Sequence, residues 1–390
     1  MKNKLQNTRI EFHILQSFPV SCLNRDDVGT PKSAMIGGTL RARVSSQCWK
    51  RAIRMAMHDY CGVQKSWRTT MLSSLIRKKC NAAGATDEQA EYCGNVAAKI
   101  LNSSDKENKK DALFFISDAE ANAITEIFKE KAFDMMAIEE SLKEKSKKKG
   151  KKNENEEEGA KKEDGLKTRV IEILTKEKER KNMDGLDISL FGRMAANAPK
   201  VNVEAAASVA HAISTHKAVA EVEFFTAVDD YREEHKIPGS GHMGSLEFNS
   251  ATYYRYISLD LGQLLANLGN DDSLDLSPAI AAFTKALYLA VPTARQTTMT
   301  ASTLWDYAQV VVRKGQRIQA SFETAVTKKD TPSLLEASKK ELKGQLERAE
   351  KLSGSLYGKI ASFEFGENED FSIDALADAL TAEVRKLQLG

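Results

Sequence analysis

Apolar and polar residues alternate through Arg9-Ile10-Glu11-Phe12-His13-Ile14-Leu15, a period of two that predicts a half-buried β-strand. A loop with Pro19, Gly29, Pro31 and the Gly37-Gly38 pair follows. Leu40, Ala42 and Val44 then alternate with Arg41 and Arg43, predicting a second strand with one basic face. There the period changes. Trp49, Ala52, Ile53, Ala56, Met57 and Tyr60 recur at three- and four-residue spacing, the apolar stripe of a helix that Ser45 or Ser46 can cap. Gln47, Lys50, Arg51 and Arg54 stand at i, i+3, i+4 and i+7, so their side chains share the opposite face.

From about Arg68 to Ile138 the pattern is helical. Lys143 to Glu158 has almost nothing to bury, so the Lys/Glu-rich segment 143–165 reads as a mobile insertion. A short helix near Lys167 to Lys178 precedes Leu186–Phe191, whose alternation predicts a strand ending at Gly192-Arg193-Met194. β-branched residues on alternate positions favour strand for Ser208 to His216. Glu221–Asp229 and Ser245–Leu259 flank Pro238, Gly239, Gly241 and Gly244, which predicts a long hairpin. A helix at 277–290, a strand at 305–313, a helix at 332–352, a strand at 359–365 and a last helix from Ser372 complete an α+β chain without strict βαβ alternation. A split βαβ, ferredoxin-like core interrupted by insertions fits that order.

Formal charge changes the picture. Across 390 residues it sums to only +2, yet Arg41, Arg43, Lys50, Arg51 and Arg54 crowd one strand-to-helix junction. Local potential steers binding more than net charge does, so this junction aims at a polyanion. The hydrophobic share of 42% allows a substantial core, and no run approaches the roughly twenty apolar residues of a membrane span; a cytoplasmic location is expected. Five cysteines lie in the first quarter without the close pairs of a zinc or thioredoxin-type site, so reduced structural thiols and no metal are expected. His211 and His216 are five residues apart, which does not bring them together on a strand or a helix; structural roles are expected for both. No phosphate-cradling Gly-rich loop ending in Lys-Ser/Thr, HExxH or GxSxG motif is present, leaving nucleotide hydrolysis, zinc proteolysis and serine hydrolysis without support.

Several blocks carry a resemblance, in one order. They are Ser21-Cys22-Leu23-Asn24-Arg25-Asp26-Asp27, Gly37-Gly38, Arg43-Val44-Ser45-Ser46-Gln47, Lys50-Arg51-Ala52, Phe191-Gly192-Arg193-Met194-Ala195, Ala210 to His216, Phe225 to Asp230, and Gly241-His242-Met243-Gly244. Together they resemble the CasC family, the Cas-seven-type backbone subunits of type I-E CRISPR Cascade in the RAMP superfamily. The likeness spans roughly the first two-thirds of the chain and thins after Gln296. It implies a palm of modified RNA-recognition-motif fold (1–59 and 181–390), a helical finger insertion (60–180) and a β-hairpin thumb (220–254). It also implies a non-catalytic ribonucleoprotein role with no cofactor. Copies of the subunit would stack along CRISPR RNA (crRNA) beside other Cascade subunits and hold the guide open for target DNA.

Cations on one helix face beside a helix N-terminus with exposed N–H groups form a phosphate cradle that reads backbone rather than bases. Ser45, Gln47, Lys50, Arg51 and Arg54 are therefore assigned to crRNA phosphates, with Asn24, Arg25 and Lys32 from the preceding loop. Arg41 and Arg43 are divided between RNA and packing on a neighbouring subunit, and Arg295 would complete the track. The resemblance adds Arg193 and Met194, with Met243 at the hairpin tip; in the family apolar side chains at the methionine positions wedge against bases. Phe224, Phe225 and Thr226 would splay the kinked nucleotide, because every base has a stackable face. The rival function is a metal-dependent RNA endonuclease of the type III kind using Asp26, although loop aspartates more commonly make turn bonds. The lysines of the 143–162 segment are expected to attract duplex DNA.

Overall fold

Strand β1 (Thr8–Ser21) lies between β9 (His242–Asp260) and β10 (Tyr307–Lys314), antiparallel to both. In this computed structural model, which describes residues 3–102, 113–143, 165–175, 184–195, 198–237, 242–269, 274–329 and 331–389, β1 is buried on both faces, Glu11 and His13 included. The expected half-burial is thus corrected. The alternating polar residues face a second protein layer instead of water. Glu11 accepts from Arg313 Nε, from the Tyr256 hydroxyl and from the Ile318 amide, so its charge is compensated inside the fold.

The chain divides into two units. The first comprises Met1–Gly62, Ala207–Gly262 and Asp275–Gly390. Outward from β10 lies β11 (Lys359–Phe365); outward from β9 lie β6 (Ala207–Val209) and β7 (Ala212–Ser214), then β3 (Thr39–Val44) and β2 (Ser33–Ile36). The path β11-β10-β1-β9-β7-β3-β2 is antiparallel throughout. β8 (Glu221–Ala227) pairs with the outer half of β9, forming the expected hairpin. Helix α1 (Ser46–Tyr60) links the first edge of this sheet onward, and α10 (Ser277–Leu289) lies between β9 and β10 in sequence.

These two helices pack together on one face of the sheet. There Phe18 meets both Trp49 and Tyr253, and the Arg255 guanidinium carbon stands 3.7 Å from the Trp49 ring centroid. On the other face Leu15, Tyr254, Tyr256 and Tyr307 pack against Ala320, Phe322, and Leu342 and Leu346 of α12 (Leu334–Ser353). Terminal helix α13 (Ile373–Leu389) packs on α10. Both faces of the sheet centre are consequently sealed. A ligand must use strand ends, the first helix's polar face or the hairpin.

The second unit is Val63–Ala206 with Gln263–Leu274. It contains the two-stranded pair β4 (Trp67–Thr69) and β5 (Phe114–Ile116), and helices α2 (Leu72–Ala82), α3 (Asp87–Asn102), α4 (Asp118–Glu130), α5 (Met135–Lys143), α6 (Leu166–Thr175) and α7 (Leu186–Phe191). Another helix, α9 (Leu261–Asn267), begins where β9 ends. Ile76, Cys80, Cys93, Ala97, Ile124 and Phe128 belong to its core. Close approach of α2 and α3 requires Gly94, since a Cβ there would sit 2.4 Å from the Ser73 carbonyl oxygen.

Two expectations change here. Leu186–Phe191 is helix, not strand: Asp187 and Ser189 are as buried as their apolar neighbours, and Asp187 accepts from the Ser66 hydroxyl at 2.6 Å. Polar positions satisfied internally imitate the outward face of a strand. The expected unit boundary at 180 falls instead at Ala206, because the segment after α7 is tied into this second core. Of the Lys/Glu-rich insertion, residues 144–164 lie outside the described residues, as does Gly241 of the hairpin motif.

Candidate nucleic-acid interface

The loop before β2 is built by short-range hydrogen bonds. Asp26 Oδ1 accepts from Val28 N (3.1 Å) and Thr30 N (3.0 Å), closing a turn, and Lys32 N donates to Asn24 O (2.8 Å). Asn24 then reaches across to the first helix: its Oδ1 accepts from Ser45 N at 2.9 Å. Ser45 is the N-cap, with Oγ accepting from Cys48 N at 3.3 Å. His211 Nδ1 accepts from Ser46 N at 3.1 Å. The amides of Ser45, Ser46 and Cys48 are thus already bonded to protein, so fewer bare N–H groups stand at this helix start than expected and the side chains carry more of the cradle.

Those side chains converge from three segments. Arg51 and Gln47 are exposed on α1, with Lys50 and Arg54 half-buried beside them. Burial pushes the Cys48 thiol up, and the nearby cations Lys32 and Arg51 work against it. Burial first, then Arg43 and Lys32, lowers the His211 pKa. Lys32 therefore stands close to both, bridging the loop, the end of β3 and the start of α1. A second cluster surrounds Cys22, whose thiol is raised by burial and lowered by Arg295 and Arg25. Arg295, in left-handed conformation at φ +55°, precedes the four-residue α11 (Gln296–Met299). The sequence-predicted Asn24, Arg25, Lys32, Ser45, Gln47, Lys50, Arg51, Arg54 and Arg295 all belong to this first unit.

Two predicted cations point elsewhere. Arg41 is fully buried; Nη1 donates to Ser214 O and Thr215 O, and Nη2 to Phe322 O and Glu323 O. Its strand face is covered by this chain's own segment around Phe322, so both alternatives for Arg41, RNA and a neighbouring subunit, are corrected to packing within the subunit. Arg193, expected at RNA, is corrected likewise. Its guanidinium bonds Glu120, Phe115 O, Val201 O and Leu174 O inside the second unit. With all three nitrogens bonded inside the fold and its side chain 0% exposed, this guanidinium does not reach a phosphate in solution. Its neighbour Met194 is 82% exposed.

In the hairpin, β8 and β9 pair Phe224 with Ser245, Phe225 with Gly244 and Thr226 with Met243. Alternation puts Phe224, Thr226, Met243 and Glu247 on one face and Phe225 on the other. On that face Phe224 and Met243 are exposed. Short helix α8 (Asp230–Glu234) follows at the hairpin end, capped by Asp229.

The sequence profile of the CT1975-like protein family matches residues 10–383. The chain belongs to this family. Among solved structures, a chain of a "CRISPR RNA-guided surveillance complex, pre-nicking" is 26% identical with a TM-score of 0.71, covering 96% of this chain and 99% of that one. A chain of a "CRISPR RNA-guided surveillance complex" is 24% identical with a TM-score of 0.63 over the same shares, a likeness of fold. Comparison with curated proteins gives no match. The CT1975-like architecture here is accordingly a Cas-seven-like α+β fold with a mostly antiparallel sheet.

One residue of this CT1975-like chain was passed over by sequence reasoning. His211 was expected to be merely structural, yet it is exposed and lies between the cations of the loop and the start of α1. Only its position opposite Ser45 in the β3–β7 register, one step beyond the Val44–Ala212 pair, could have signalled this. His216 does keep a structural role: its Nε2 accepts from Thr252 N and its Nδ1 donates to Lys217 O. Among the described residues no helix is long and apolar enough to cross a membrane, and no group of three or more His, Cys, Asp or Glu is placed to hold a metal ion.

Proposed function

We propose that this chain is a non-catalytic backbone subunit of a cytoplasmic CRISPR surveillance complex of the type I-E, CasC kind. It binds crRNA phosphates along α1, stacks with further copies beside other Cascade subunits, and presents the guide to target DNA. The observation that carries the reading is the convergence of Lys32, Arg43 and the polar face of α1 at one strand-to-helix junction, on a chain whose net charge is only +2. Side-chain cations on a helix contact the backbone without reading sequence, which suits a subunit that must carry any guide.

Topology supports an RNA-recognition-motif-like palm. β1, α1, β7, β9, α10 and β10 run β-α-β-β-α-β, with strand order β10-β1-β9-β7. The sheet face opposite the two helices, which such a domain commonly offers to RNA, is sealed by α12, so binding moves to the junction and the thumb. Asp26 has less support as a nuclease residue, since one carboxylate oxygen holds its own turn.

Binding of the full chain to single-stranded RNA tests the reading. Each lost phosphate contact should reduce the slope of log affinity against log salt by about 0.7. Lys50→Glu and Arg51→Glu should weaken length-dependent assembly on RNA while circular dichroism remains native. Unchanged assembly would remove the junction from the interface, and regular-interval cuts in complementary RNA with magnesium, abolished by Asp26→Ala, would favour the nuclease.

A further inference from the structure

We infer that His211 is a neutral hydrogen-bond donor to the phosphodiester backbone held at the α1 junction, a binding residue that contributes affinity without counterion release. The inference rests on the proposed RNA-binding reading and extends it to a side chain outside the cationic set.

The chemistry follows from one hydrogen bond. Ser46 N–H donates to His211 Nδ1 at 3.1 Å. An imidazole nitrogen that accepts carries no proton, so the ring hydrogen sits on Nε2. Protonating the ring would turn Nδ1 into a donor and break the Ser46 bond. Partial desolvation, then the cations Arg43 and Lys32 beside it, lower the ring's pKa further from its ordinary value. The two ring nitrogens diverge, so with Nδ1 committed to the helix amide, Nε2–H is the polar end of an exposed side chain.

The setting then selects the ligand. The amides of Ser45, Ser46 and Cys48 are taken by Asn24 Oδ1, His211 Nδ1 and Ser45 Oγ, so they do not themselves meet an anion. His211 instead extends the helix start by one side chain and offers Nε2–H in place of an amide N–H. Its charged neighbours are Arg43 and Lys32, both cationic, which favours an anionic acceptor such as a phosphate oxygen. Register fixes the ring here: Val44 pairs with Ala212, and Arg43 N is held by Lys32 O at 2.8 Å, so strand, loop and helix all bear on this point.

A neutral donor has a signature distinct from a cation's. Removing it lowers affinity equally at every salt concentration, whereas removing a cation also flattens the salt dependence. The test is binding of the full chain to a uridine homopolymer across a salt series. His211→Ala should bind roughly tenfold more weakly at every salt, with an unchanged slope. His211→Asn, which can both accept from Ser46 N–H and donate outward, should recover most of the loss. His211→Asp retains an acceptor for the helix start and should melt no lower than wild type, yet bind worst. In the wild type, the imidazole ¹⁵N spectrum should show the Nε2–H tautomer and a displaced Nε2 resonance on adding RNA, which a purely structural histidine would not give. If Arg51→Glu weakens binding and flattens the slope while His211→Ala coincides with wild type, the His211 assignment is wrong and the RNA reading stands. If Arg51→Glu changes neither affinity nor slope, both fall together.

Discussion

Phe225 covers Gly244, its cross-strand partner in the hairpin: a Cβ built on Gly244 would stand 2.7 Å from Phe225 Cζ and 2.9 Å from Cε1. Gly244→Ala should therefore swing the Phe225 ring off the strand, because a ring end is cheaper to move than paired backbone. Stability should change by less than about 1 kcal/mol, the hairpin being largely exposed. The upfield ring-current shift expected for the Gly244 α-protons should likewise disappear from the alanine variant's NMR spectrum. If the thumb holds a nucleotide as proposed, RNA affinity should fall at the same time; native affinity with a displaced ring would separate Phe225 from binding.

Arg41 makes the opposite kind of contribution. With its side chain sealed and four carbonyl oxygens around it, Arg41→Met should leave those acceptors unpaired and cost about 3–5 kcal/mol in chemical denaturation. Arg41→Lys should rescue only a small part, since one ammonium cannot span acceptors on two segments as a planar fork does. A surface cation would lose less than about 1 kcal/mol, so the size of the loss distinguishes the two placements.

The contrast between Arg41 and Arg51 marks where sequence was informative. α1 was legible in detail: a capping serine, an apolar stripe and a polar face are all local, and Ser45, Trp49, Ile53 and Met57 take the positions the spacing predicts. Tyr60, at the end of the stripe, is exposed. The hairpin and β11 were legible for the same reason, each being a short-range pattern. Arg41 was not, because alternation says only that it opposes Leu40 and Ala42. That Phe322 and Glu323 lie over that face depends on contacts some 281 residues away. α7 misled in the same direction, with Asp187 buried on Ser66 and so imitating an outward polar position. The site's cations were visible as a charge cluster, whereas His211 gains its meaning only from a partner 165 residues distant.

Arg193 and Glu120 form a buried pair at 2.8 Å, their side chains 0% and 9% exposed, and Glu120 also closes a capping box with Ser117 at the start of α4. Removing Arg193 strands a carboxylate in the second unit's core, so Arg193→Ala should destabilise by about 3–5 kcal/mol. The double variant Arg193→Met, Glu120→Met should recover part of that loss, since two apolar side chains need no charge compensation. Neither variant should alter the salt slope of RNA binding, and a reduced slope in the folded double variant would return this arginine to the interface.

His13 supplies the pH dependence. Its Nδ1 lies 2.9 Å from the Tyr254 hydroxyl, which itself accepts from Ala320 N at 3.1 Å, so the ring is enclosed by protein on this side. Burial, aided by the Arg313 charge, lowers its pKa to about 3. In the unfolded chain the value returns to about 6.5. Between these two values the unfolded state holds a proton that the folded state refuses, so stability is present above about pH 6.5 and is lost as pH falls toward about 3. The limiting contribution of this one group is about 1.4 kcal/mol per pH unit. His211 and His216 are also lowered and add to the same slope, whereas Asp275, held at about 2 chiefly by Arg385, contributes only at more acid pH. His13→Gln keeps an acceptor for Tyr254 without a titrating ring. Urea midpoints measured from pH 4.5 to 6.5 should accordingly fall less steeply for His13→Gln than for wild type, by close to one proton's worth of slope. Parallel lines for the two proteins would mean that His13 is protonated inside the fold, contrary to its burial.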